Sequence, residues 1–100
     1  MRELWISNIN SADARILADD WDSYLHNVGC DIYIQAIYDR MIITWNTSAP
    51  SIIHHILDFV DVTFGDMCDI IELEKAIINL QDDHVVIFDS KRYDVEVKAS

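Results

Sequence analysis

Along this chain the spacing of apolar residues switches between two periods, and that switch most limits what the chain can fold into. Ala14, Leu17, Trp21, Tyr24, Leu25 and Val28 recur every three or four positions. At 100° per residue they share one helical face, with Arg15, Asp19, Asp22 and His26 opposite and Asp13 and Asp20 on one flank. Just after them, Ile32, Ile34 and Ala36 alternate with Tyr33, Gln35 and Ile37, the two-residue period of a strand.

Read this way, the chain orders itself as β-α-β-β-α-(α)-β-β. Glu3 to Ile9 is expected as the first strand, with a break over Asn8 to Ser11. Ser11 suits an N-cap for a helix from Ala12 to Val28, and Gly29 suits its end. A strand over Asp31 to Tyr38, a turn at Asp39-Arg40 and a strand over Met41 to Asn46 make a hairpin, with Met41, Ile43 and Trp45 on one side. A second helix opens over Thr47 to Pro50, capped by Ser48 and ended by Gly65. Ile53, Ile56, Leu57, Val60 and Phe64 form its main stripe. Ile52, Phe59 and Val62 lie off that stripe, so the helix is either buried on two sides, the favoured reading, or carries an exposed apolar strip.

Residues 66–81 read as a helix from Asp69 to Leu80, with a strand over Cys68 to Leu73 as the alternative. A final hairpin, His84 to Asp89 and Arg92 to Lys98, should turn Tyr93, Val95 and Val97 inward. The simplest compact solution is one α+β domain over 1–100, an antiparallel sheet with helices on one face.

Charge narrows the function classes. The net charge is −11, with 18 acids, mostly aspartate, against 7 Lys or Arg. Phosphates would repel such a chain, so nucleic acid and anionic membrane are poor direct ligands and a basic protein is the expected partner. A chain of this size exposes about 5,800 Å². Spread evenly, the net charge amounts to about one per 530 Å², whereas duplex DNA carries roughly one per 100 Å² of its cylinder. Imitating DNA therefore requires the acids to gather on one face.

Aspartate's short stem loses little entropy when fixed in an interface. The acids expected to form such a surface are Asp13, Asp19, Asp20 and Asp22 on the first helix, Asp58, Asp61, Asp66 and Asp69 at the end of the second and just after, then Glu72 and Glu74. Asp82, Asp83 and Asp89 frame the last hairpin. Tyr33 and Tyr38 are the expected aromatic anchors, while Trp21 belongs to the core.

Signs of chemistry are sparse. His54, Asp58 and Asp61 share a helical face and form a partial metal-ligand set, better read as a solvated strip. Cys30 and Cys68 have no CxxC spacing and read as reduced thiols. There is no Gly-x-Ser-x-Gly elbow, H-E-x-x-H or glycine-rich phosphate loop. No enzyme activity and no cofactor are expected. The amino terminus lacks the apolar run of a signal peptide, and no stretch approaches a membrane span, so a cytoplasmic protein is expected.

In its length, acidity and α+β order the chain resembles phage-encoded inhibitors of host defence, many of them acidic DNA mimics that block restriction or CRISPR machinery. It also resembles immunity proteins that neutralise nuclease toxins. Both resemblances span the chain and rest on composition, so no residue inherits a role. The first implies an inhibitor seated on the basic nucleic-acid-binding surface of a nuclease or defence complex. The second implies an antitoxin-like partner of a basic toxin. A monomer or a homodimer suits either.

Overall fold

The computed structural model describes residues 2–27, 32–45, 50–64, 70–92 and 94–99. The elements follow the expected order: β1 (Arg2–Ser7), α1 (Ser11–Asn27), β2 (Ile32–Ile37), β3 (Arg40–Trp45), α2 (Pro50–Phe64), α3 (Ile70–Ile78), β4 (His84–Asp89) and β5 (Val95–Ala99). They form one small α+β domain, its five strands in the order β2-β3-β1-β4-β5. The sheet is mixed rather than wholly antiparallel, because β1 runs parallel to β4. The helices between β3 and β4 carry the chain across the sheet, so β4 can enter beside β1 in the same direction.

Strand period two decides what is buried. Ile34, Ile43, Leu4, Val86 and Val97 line up across the sheet, and Ala36, Met41, Ile6, Phe88 and Val95 form the next row. In the three central strands these side chains are sealed, with Leu4, Ile6 and Val86 fully buried. The helices cover this face. Ala14 and Ala18 let α1 approach closely, while Trp21, Leu25, Ile56, Val60, Leu73 and Ile77 complete one core cluster. Each large apolar side chain so buried stabilises by about 1.5–3 kcal/mol before entropy is counted. Trp21 stacks on Phe59 at 4.7 Å, and Tyr24 meets Phe59 edge-on at 5.1 Å, which joins α1 to α2.

Several boundaries differ from expectation for local reasons. β1 stops at Ser7 because Asn8 adopts a left-handed φ of 60°. Asn10, not Ser11, caps α1: its Oδ1 accepts the Ala12 N–H at 2.9 Å and its carbonyl accepts that of Ala14. The hairpin loop is Tyr38-Asp39 rather than Asp39-Arg40, since Arg40 already pairs with Ile37. α2 is buried on two sides through Ile52 and Phe59, although Val62 stays 85% exposed. The 66–81 segment is helical from Ile70 to Ile78, as favoured over a strand. Val97 does not turn fully inward but is 52% exposed, because β5 is an edge strand with no strand beyond it among the described residues. The caps expected at Gly29, Ser48 and Gly65, both cysteines, and Tyr93 lie outside the described residues.

The cap assignment has a direct check. Asn10→Ala should lower stability by about 1 kcal/mol in urea unfolding, while Ser11→Ala should stay within about 0.5 kcal/mol of the parent.

Candidate functional site

The two-layer build dictates where charge can go. A sheet face packed on helices admits only apolar side chains, so the acids of the helices are turned outward. Asp13, Asp19, Asp20 and Asp22 on α1, Asp58 and Asp61 on α2 and Glu72 on α3 are all exposed, and Glu74 is half-buried. Against these eight carboxylates the helices carry only Arg15 and Lys75, a net −6. The described strands and turns hold seven acids against five bases, a net −2. Asp31, Asp66 and Asp69 account for the rest and lie outside the described residues.

Among the described residues, the ion pairs are Arg2–Asp82 at 4.0 Å and Lys98–Glu96 at 3.5 Å. Neither involves the helical acids. The helices therefore hold most of the net charge of the described residues, −6 of −8.

Within the layer, the acids occupy two flanks of α1. Asp20 sits one turn before Tyr24, on the side where Tyr24 meets Phe59 and His55 of α2, and Asp58 immediately precedes Phe59. Asp19 and Asp22 lie on the opposite flank with Arg15. The anchors separate. Tyr38, 87% exposed, lines a shallow depression with Ser11, Ala12 and Arg15 beside the start of α1. Tyr33, 59% exposed, points from the other face of the sheet, so it does not belong to the anionic layer.

Among the described residues that other face is free of helices. Gln35, Ile42, Trp5, Ile87 and Glu96 form its central row, flanked by Tyr33, Thr44, Glu3, Val85 and Lys98. Trp5 donates its indole N–H to Glu3 at 2.7 Å and receives the Arg40 guanidinium over its ring at 5.2 Å. The signal was present in the sequence: Trp5 is in phase with Glu3 and Ser7, not with Leu4 and Ile6.

His54, Asp58 and Asp61 do share the outer face of α2, but among the described residues no three His, Cys, Asp or Glu are grouped to hold a metal ion. Nor, among those residues, is any helix long and apolar enough to cross a membrane. Scans against protein-family models, curated proteins and solved structures return no match.

At the C-terminal ends of the parallel strands β1 and β4, Asp89 ties the β1–α1 connection to the β4–β5 turn. One oxygen accepts the Asn8 amide at 2.7 Å; the other accepts the Lys91 and Arg92 N–H groups at 2.9 and 3.1 Å. The Ile9 N–H bonds the Asp39 carbonyl at 2.9 Å, which fixes the Tyr38 turn to the entry of α1. The Asn8 hydrogen bond, reinforced by the two backbone donors, holds the Asp89 carboxyl below its ordinary range despite some desolvation. Tyr38 itself has a left-handed φ of 55°, a conformation that costs a side-chain-bearing residue free energy.

Two outcomes follow. A folded pKa below the unfolded value means that Asp89 stabilises above about pH 4 and stops doing so as the pH falls through the folded value. Asp89→Asn should therefore cost about 1 kcal/mol at neutral pH, and the difference from the parent should narrow in urea unfolding series as the pH is lowered below about 4. Tyr38→Gly should raise stability by about 0.5–1 kcal/mol, read in the same assay, because glycine relieves the left-handed strain.

Proposed function

We propose that the chain is a protein-binding inhibitor whose helical layer seats on a basic nucleic-acid-binding surface of another protein, its carboxylates taking the places of phosphates. The observation that carries this reading is the segregation of charge: the described helices hold a net −6, and among the described residues none of the carboxylates on α1 or α2 is in an ion pair. Unpaired surface acids repel one another and lower stability. Held on two packed helices, they are already arranged for a cationic surface and need little ordering on binding. Tyr38, exposed beside the start of α1, supplies an aromatic contact at the margin of the layer. Nucleases and other DNA-binding defence proteins present the cationic surface that this layer complements.

The test uses purified DNA-binding nucleases, each loaded with labelled duplex DNA and titrated with this protein. Displacement of duplex from a susceptible nuclease is expected, with affinity falling by orders of magnitude between about 50 and 200 mM salt. A chain carrying Asn at positions 19, 20, 22, 58 and 61 should bind at least about 100-fold more weakly. Asp94→Asn with Glu96→Gln, on the sheet side, should bind like the parent. Displacement that ignores salt, or that the five helical substitutions leave unchanged, would refute the reading.

A further inference from the structure

β5 is the one element in which no described residue is fully buried. Its free edge has a specific hydrogen-bonding phase. The Asp89 N–H bonds the Asp94 carbonyl at 3.0 Å, so Asp94 directs its backbone toward β4. Antiparallel strands alternate this direction residue by residue. Glu96 and Lys98 therefore also face β4, opposite Ile87 and Val85, while Val95, Val97 and Ala99 turn their N–H and C=O groups outward. Among the described residues nothing pairs with them.

We propose that this edge pairs with the same edge of a second copy, antiparallel and centred on Val97, to make one continuous ten-stranded sheet. Three features select a second copy as the occupant. The register is self-consistent: Val97 meets Val97 and Val95 meets Ala99, so every outward-facing residue meets an outward-facing residue, and each such pair exchanges two hydrogen bonds. Between them, Glu96 of one copy stands opposite Lys98 of the other, twice by symmetry, in the non-hydrogen-bonded positions where side chains approach most closely. Charge permits the approach as well. From His84 to Lys98 there are three acids and three bases, so this hairpin is neutral in a chain of net charge −11.

The helices fit the same arrangement. The two-fold axis runs perpendicular to the sheet, so both helical layers lie on one side. α3 packs on β4 and β5, and strands are about 4.8 Å apart, which places the two α3 helices about 10 Å apart, at helix-packing distance. Val97, 52% exposed on the helix-bearing side, would then be covered from both copies.

Sedimentation of the full chain from about 5 to 500 µM should show the mass rising from 11.6 kDa to twice that value. Over the same range, amide exchange at Val95, Val97 and Ala99 should slow at least about ten-fold, while Glu96 and Lys98, already bonded to β4, change little. Val97→Pro removes only an outward N–H, so the monomer should fold and the dimer should be lost. Glu96→Lys should weaken dimerisation about ten-fold, and adding Lys98→Glu should restore it. A monomer throughout the range would overturn the proposal. So would a dimer that tolerates Val97→Pro, or one whose edge amides exchange as they do in the monomer. None of these readouts involves a nuclease, so failure here leaves the inhibitor reading standing, and the converse also holds.

Discussion

The placement of β1 at the centre of the sheet, antiparallel to β3 and parallel to β4, is the constraint on which the rest depends. Leu4 and Ile6 are thereby buried from both neighbouring strands and from the helices above. Because β1 and β4 are far apart in sequence, this pairing closes a long loop. Its entropic cost must be met by the cooperative burial of the whole apolar face. The three helices can then lie only on that face, and a one-sided helical layer follows. Charge segregation is a consequence of this layering. A helix that gives its inner stripe to the core has only its outer surface left for aspartates.

Much of this was legible in the sequence because local periodicity and tertiary packing agree. The phase of Met41, Ile43 and Trp45, the face of α1 and the helical character of 70–78 could all be read from spacing. The parallel β1–β4 pairing could not, since strand partners depend on which non-local edge a strand meets and not on its own pattern. The N-cap moved by one residue because Asn10 and Ser11 are both good caps, and it is the Asn10 side chain that accepts the Ala12 N–H. Trp5 drew no reading from the sequence, although its phase with Glu3 and Ser7 puts it on the open face. Its ring is satisfied on the open face by Glu3 and Arg40. The acids were legible as a list, whereas their concentration on the helices needed the fold.

The two sides of the molecule differ in kind. The helical side is anionic, its carboxylates are without ion pairs among the described residues, and it is built on packed elements. The sheet side has an apolar centre in which charges find partners: Glu3 with Trp5, Arg40 over the same ring, Glu96 with Lys98. A protein that needed acids only for solubility would gain as much from an even distribution, since solubility depends on net charge more than on its placement. Concentrating like charges on one layer costs stability through mutual repulsion, and an even spread would avoid that cost.

Pairing through β5 acts on the same balance. A two-fold axis normal to the sheet keeps both helical layers on one side, so the anionic surface is doubled in extent while the contact is made through the neutral hairpin. Repulsion between copies falls with separation and is screened over about 8–10 Å at physiological salt. α1 lies over β2, at the opposite edge from β5, so its four aspartates sit farthest from the joint and contribute least to that repulsion. Asp58 and Asp61 of α2 and the acids of α3 lie closer to it. The order of the strands thus places the densest negative charge where self-association is least opposed by it and where a cationic partner has the clearest approach.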